Sequence, residues 1–598
     1  MLSPTTTYES YLIVKFVDRA HGLDFFAIRS FCPSRECEIG REVYLRKNES
    51  KKQCLDSNRI EIVVRSMAFR GIMEERVPRE REDGWIEIEL GSFYNQGGDD
   101  LEVKMSLKAY LYQRPGPGRW SIGRPTRTWA CLGTDNTDLC LSNIQTQLQN
   151  LGPQTPSSVL LAALRTTLNE ARRAIETMTR FTGLSTSYRE QMAIEDCKEL
   201  LDFSVSELAW SLAEMRKIRD DDHISGESEG NLKAWLSAAL SNQDTCLEGF
   251  EGTDRHLESS IRGSVEQVTQ LIGNVLAMYT QLHSLPFRPP RNSTSTTNAG
   301  SEFPEWITDT DQEHLRTHSS HMHADAVVSL DSTGRYRTIT DAVNEAPSYN
   351  GIGQTIVTGN RNFLQGWTTF RTATVAVSGK GFIARDITFR NTAGPENHQA
   401  VSLRVDSDQS AFFRCSIEGY QDTLYSHSLR QFYRECNIYG TIDFIFGNGA
   451  TVLQNCKIFT RAPLPLQKVT ITAQGRKNPN QNTGFSIQNS YILATQPTYL
   501  GRPWKPYSRT VYLNTYMNGL VQPRGWLEWY GNFGLNTLWY GEYRNYGPGA
   551  SLSGRIKWPG YHIIRDASTA DYFTVGKFIN GLSWLPATGV KFTEGLTN

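Results

Sequence analysis

The sequence predicts a multidomain protein: a β-rich N-terminal fragment (1–125), a four-helix bundle (126–285), a linker (286–324) and a right-handed parallel β-helix (325–598). Three patterns predict it. Early segments alternate apolar and polar residues, as half-buried strands do. A middle region repeats apolar residues at three- and four-residue spacing, the mark of helices with one buried stripe. The last region carries an apolar motif bearing Asn or Cys whose first four copies recur roughly every 20–25 residues, the period of a coiled solenoid.

In the first region, Trp85-Ile-Glu-Ile-Glu-Leu90 and Leu101-Glu-Val-Lys-Met-Ser-Leu107 alternate, and Asn95-Gln-Gly-Gly-Asp-Asp100 reads as the turn between them. In the second, Leu161, Leu164, Leu168, Ala171 and Ile175 form one stripe and Val265, Val268, Ile272 and Val275 another. Similar stripes over about 188–217 and 229–242 complete four helices, whose short joins predict an antiparallel bundle. It carries no nucleophile–base pair. Pro286, Pro289, Pro290 and the Ser/Thr-rich run that follows read as linker, with a glycosylation sequon at Asn292. His314, His318, His321 and His323 cluster there without the structured spacing of a metal site.

In the third region, Ile387–Asn391, Phe412–Ile417, Phe432–Ile438, Leu453–Ile458 and Ile487–Ile492 are successive strand motifs. Equivalent positions on neighbouring rungs stack about 4.8 Å apart. Asp422 and Asp443 are 21 positions apart and are expected to stack; so are Gln399 and Gln421, 22 apart. Two carboxylates and two amides on one surface point to an active site. Asp386, ahead of a strand at a solenoid edge, reads as structural.

The balance of 62 basic and 63 acidic residues selects neither nucleic acid nor an anionic membrane. No apolar run is long enough to span a bilayer, and residues 1–8 lack the pattern of a signal peptide. Of the ten cysteines, Cys131 and Cys140 bracket a polar loop, Cys197 and Cys246 lie in helix-like segments, and Cys415 and Cys436 sit on adjacent coils. They are either buried thiols or oxidised pairs, and pairs imply life outside the cytoplasm.

Residues 325–598 resemble the plant pectin methylesterases. The resemblance is carried by Gly366-Trp-Thr-Thr-Phe-Arg371, Gly419-Tyr-Gln-Asp-Thr-Leu-Tyr425, Gly440-Thr-Ile-Asp-Phe-Ile-Phe-Gly447, Leu500-Gly-Arg-Pro-Trp504 and Gly525-Trp-Leu-Glu-Trp529. It implies pectin as substrate, methanol as product, no cofactor and no metal. It implies Asp443 as nucleophile, Asp422 as acid and then base, Gln399 and Gln421 as oxyanion donors, and Arg502 as the clamp on Asp443. Thr369, Gln399, Arg502 and Trp504 are implied substrate contacts. Cys415 and Cys436 are expected to bridge two rungs beside this face, and Cys456 to be a free thiol, because Ser490 stands where its partner is expected.

The Cys131/Cys140 pair, Cys197 and Asn242-Gln-Asp-Thr-Cys-Leu247 resemble the invertase/pectin-methylesterase inhibitors. That likeness implies disulfides Cys131–Cys140 and Cys197–Cys246, and an intramolecular inhibitor-like partner lying against the face of Asp422, Asp443 and Trp504. The stretch 1–125 resembles the phloem-protein-2-like lectin module through Arg19-Ala-His-Gly-Leu-Asp24 and Asp83-Gly-Trp-Ile-Glu-Ile-Glu-Leu-Gly91. The implied location is the cell wall. Departures from the esterase pattern lie at Ala346–Gly359, where about one coil is expected and missing, and at the short loop Thr495–Tyr499. An inactive glycan-binding or esterase-inhibiting protein is the alternative.

Overall fold

The computed structural model describes the backbone of strands between residues 7 and 113, and residues 156–183, 187–218, 225–253, 256–283 and 353–597. They fall into two compact units, 1–121 and 122–598. The pairs Cys131/Cys140, the linker with its sequon and histidines, and the join at 346–352 lie outside the described residues.

The first unit holds two antiparallel sheets of three and four strands. Strand Ile86–Tyr94 runs against Thr7–Val14, and strand Ser106–Gln113 runs against Leu23–Phe31. The two alternating segments thus lead into strands of different sheets. Alternation reports which face of a strand is buried, and says nothing about its partner.

Among the described residues of the second unit, four helices come first, α1 (Pro156–Phe181), α2 (Tyr188–Ile218), α3 (Gly226–Glu248) and α4 (His256–His283). Leu161, Leu164, Leu168 and Ala171 of α1 are buried against Val265, Val268, Ile272 and Val275 of α4 in one apolar cluster. A disulfide, Cys197–Cys246, with Cα atoms 4.4 Å apart, ties α2 to α3. Helix α3 is buried over most of its length, because one side faces the bundle and the other faces the solenoid.

Among the described residues the solenoid is a coil of three parallel sheets with eight, seven and six strands. The sequence motifs stack in register: Phe389, Ile417, Ile438, Ile458 and Ile492 in one sheet, and Ala384, Phe412, Tyr433, Leu453 and Ile487 in another. Phe412 lies flat on Tyr433, ring centres 4.7 Å apart. One corner recurs on seven rungs: Asp386, Arg414, Glu435, Asn455, Asn489, Asn514 and Arg544 all take φ between 47° and 57°. That conformation disfavours L residues by about 1–2 kcal/mol. A hydrogen bond from the corner N–H to the next rung offsets it, for example Asp386 to Phe413 O at 3.0 Å and Arg414 to Arg434 O at 2.9 Å. Asp386 also clamps Arg414 at 2.7 and 2.5 Å, which is a structural role.

Cys415, Cys436 and Cys456 follow three of these corners and are all free, buried thiols. The expected Cys415–Cys436 disulfide is thus corrected. Equivalent Cβ atoms on parallel rungs point the same way and stay about 4.8 Å apart, beyond the roughly 3.5–4.5 Å that a disulfide needs. Each thiol turns to a carbonyl instead, Cys415 to Phe413 O and Cys436 to Phe412 O. Ser490 completes the row and accepts from the Cys456 N–H at 3.1 Å.

Candidate active site

Asp422 and Asp443 occupy the same turn of successive rungs, just ahead of strands Leu424–Ser426 and Ile445–Gly447, where Leu424 pairs with Ile445. Both are left-handed, φ 61° and 51°. The strain at each is held by the rung beside it: Asp422 N–H donates to Ile442 O at 3.1 Å, and Asp443 N–H donates to Thr470 Oγ1 at 3.0 Å. Gly447, which ends the motif, has no alternative, since a Cβ there would lie 2.0 Å from Ser426 O.

The two carboxyls have different surroundings. Asp443 is gripped by Arg502, with Nε 2.9 Å from Oδ1 and Nη2 2.5 Å from Oδ2, while Thr470 Oγ1 donates to Oδ1 at 2.7 Å. Arg502 itself lies over the Trp529 ring, 4.2 Å from its centre. Among the described residues Asp422 has no such clamp. Burial, and then the charge of Asp443, push its pKa well above the usual carboxylate range. One carboxyl is oriented by Arg502 and Thr470, and burial favours the protonated form of the other, a division of labour suited to nucleophile and proton donor.

Gln399 and Gln421 flank one inter-rung bond, Ala400 N–H to Gln421 O at 3.3 Å. Both are half-buried, and among the described residues neither carboxamide is engaged in a hydrogen bond. Trp504 is half-buried and meets Phe446 edge-on at 5.9 Å. Thr369 opens a short 3-10 turn, Thr369–Thr372, and its carbonyl accepts from Thr372 Oγ1 at 2.8 Å; its neighbour Phe370 is the residue that joins the aromatic band.

That band was not read from the sequence. Phe370 meets His427, His427 meets Tyr425, Tyr425 stacks on Phe446 at 4.1 Å, and Phe446 leads to Trp504. A signal was present: Tyr425 and Phe446 each follow their aspartate by three positions at the same spacing of 21. Thr470 was missed as well, because the rung that carries it is longer.

The bundle sits on this band. Phe370, Val401, Tyr425, Phe446 and Ala473 of the solenoid belong to the same apolar cluster as the bundle core. Thr245 Oγ1 of α3 lies 3.0 Å from His427 Nε2 and 3.4 Å from the Tyr425 hydroxyl. Trp235 Nε1 donates to Asp408 at 2.9 Å, and Lys505, next to Trp504, pairs with Glu248 at 2.5 Å. The expected location of the contact agrees with this geometry.

A parallel β-helix that sets an Arg-clamped carboxylate one rung from a buried acid of raised pKa carries the groups that a carboxylic ester hydrolase needs. Comparison with known proteins narrows the class. Residues 349–582 match the family model Pectinesterase, 127–278 match plant invertase/pectin methylesterase inhibitor, and 1–114 match phloem protein 2. The chain is 62% identical over 510 residues to an Arabidopsis thaliana protein named pectinesterase/pectinesterase inhibitor 22, covering 78% of this chain and 93% of that one. It is 44% identical over 492 residues to pectinesterase/pectinesterase inhibitor PPE8B of Prunus persica, covering 75% and 92%. A solved pectin methylesterase from carrot shares 48% identity over 47% of this chain and all of its own, with a TM-score of 0.43. The chain belongs to the pectinesterase/pectinesterase inhibitor family.

Proposed function

We propose that this chain hydrolyses the methyl esters of homogalacturonan in pectin, at the cell wall, with a solenoid of 325–598 as catalyst and a bundle of 126–285 as its restraint. Asp443 Oδ attacks the ester carbonyl carbon. The amides of Gln399 and Gln421 donate to the oxyanion. The tetrahedral intermediate collapses, the C–O bond to methoxide breaks, and Asp422 gives the leaving oxygen its proton, releasing methanol. Asp422, now a carboxylate, takes a proton from water, whose oxygen attacks the acyl-enzyme and frees Asp443 and a galacturonate. Trp504 and the aromatic band support the sugar rings.

The observation that carries this reading is the pairing of Arg502-clamped Asp443 with proton-retaining Asp422 one rung away. Methanol release from methyl-esterified pectin tests it, with Asp443→Asn as the control. The inhibitory reading of the bundle is favoured by the seating of α3 on the aromatic band.

A further inference from the structure

Two solenoid arginines outside the catalytic group hold two bundle carboxylates. Asp196 and Glu199 are three residues apart on α2 and so share a face. Arg371 pairs with both, its Nη2 2.9 Å from Glu199 Oε2 and its Nε on Asp196. Thr368 Oγ1 donates to the other oxygen of Asp196 at 2.5 Å. Arg404 Nη2 reaches Glu199 Oε1 at 3.3 Å.

Arg404 is set in place by the solenoid alone. Its guanidinium lies over the Phe370 ring, 3.4 Å from the centre, Nη1 donates to Phe370 O at 2.9 Å, and Nε donates to Asp406 at 3.0 Å. It keeps Nη2 for a partner from outside. It also sits in register with Tyr425, which pairs with Phe446 on the next rung. The arginines therefore stand at one end of the aromatic band that passes the aspartate pair. On the solenoid side Asp406 meets Arg404, and among the described residues the carboxylates that meet Arg371 are both from the bundle. Without the bundle the surplus is cationic, and a planar guanidinium recognises a carboxylate far better than a neutral ester.

We propose that Arg371 and Arg404 form a subsite for a free galacturonate carboxylate of the substrate chain, and that Asp196 and Glu199 of the bundle occupy it as stand-ins. This rests on the pectin reading above. The enzyme then favours esters on chains that already carry free acids, and its own product competes with the bundle for the groove.

The test measures binding of two galacturonate oligomers of equal length by calorimetry, one unesterified and one fully methyl-esterified, to the full chain carrying Asp443→Asn, which leaves the ester intact. Bundle docking opposes both alike, so the ratio of their Kd values reports the subsite alone. The expected result is a preference for the free acid that Arg371→Gln reduces about tenfold, the scale of one lost charge-assisted hydrogen bond. Arg371→Lys retains most of it, and Glu199→Gln tightens both oligomers without changing the ratio. A ratio unchanged by Arg371→Gln, or a free acid that binds no variant, overturns the proposal. Methanol release is followed in the matching proteins that retain Asp443. If none is released while the ratio shifts as expected, the esterase reading falls and the carboxylate subsite stands. If methanol is released and the ratio is indifferent to Arg371, only the subsite falls.

Discussion

At the scale of single residues, Thr470 shows how the nucleophile is fixed. One hydroxyl accepts from the Asp443 N–H and donates to the Asp443 carboxylate, so it holds both the left-handed backbone and the side chain. With Arg502 it leaves the carboxylate one orientation. Asp443→Asn keeps the shape and removes the nucleophile; methanol release is expected to fall about a thousandfold or more, and a remaining rate above about a tenth contradicts the role. Asp422→Asn removes the proton donor and is expected to lower kcat by about 10²–10⁴, measured under saturating pectin. The aspartates and Arg502 were legible through the repeat and the family motifs. Thr470 was not, because Ile445 pairs with Thr472, an offset of 27 where the preceding rungs have 21. A longer loop before strand Val469–Gln474 breaks the count. The aromatic band escaped for another reason: alternation along a short strand does not say whether an outward aromatic meets solvent, sugar or a second domain.

At the scale of elements, the period of 21 carried most of the solenoid. It placed Asp422 opposite Asp443 and Cys415 opposite Cys436, and both registers agree with the strand pairing. It could not supply the chemistry of the cysteine row, since register sets the spacing but the direction of each Cβ decides whether sulfurs can bond. Helix stripes marked α1 and α4 well because each has one apolar face. Helix α3 runs from Gly226 to Glu248, beyond the stripe read over 229–242, since Ser237, Ser241 and Thr245 are buried for contact with the solenoid rather than with the bundle core. The Cys197–Cys246 disulfide closes a separation of 49 residues. Cys197→Ser is expected to destabilise the bundle by about 2–4 kcal/mol, read as a lower denaturant midpoint by helical circular dichroism. An unchanged midpoint would mean that packing alone fixes α2 on α3.

At the scale of the molecule, the bundle and the solenoid share one apolar cluster over the catalytic face, and ionisable groups are trapped where they meet. His427, between Thr245, Phe370, Tyr425 and Ser428 and near Arg404, is pushed down to about 3 by burial and then by Arg404. Docked, it binds fewer protons than an exposed histidine of pKa about 6.5, so its contribution is full above that value and is lost as pH falls towards 3. Asp196 is raised from 3.8 to about 6, by burial against the opposing pull of Arg371. It binds more protons when docked, so docking gains from it as pH falls through 6. The two oppose each other in mild acid. Glu207 and Glu248, also buried at this interface, are raised by burial in the same direction as Asp196, so His427→Gln leaves only these acids, and its inhibition by the bundle is expected to strengthen between pH 7 and 4.5, while the parent strengthens less or weakens. The ratio of methanol release by the 325–598 segment to that by the full chain, taken at both pH values, checks this; identical pH trends would remove His427 from the account. The same ratio at one pH tests the central claim most directly. Methanol release from methyl-esterified pectin is predicted to be about tenfold or more faster for 325–598 than for the full chain, given the high effective concentration of a tethered bundle, and to vanish in both with Asp443→Asn. Equal rates with and without the bundle, or a rate that survives Asp443→Asn, would contradict it.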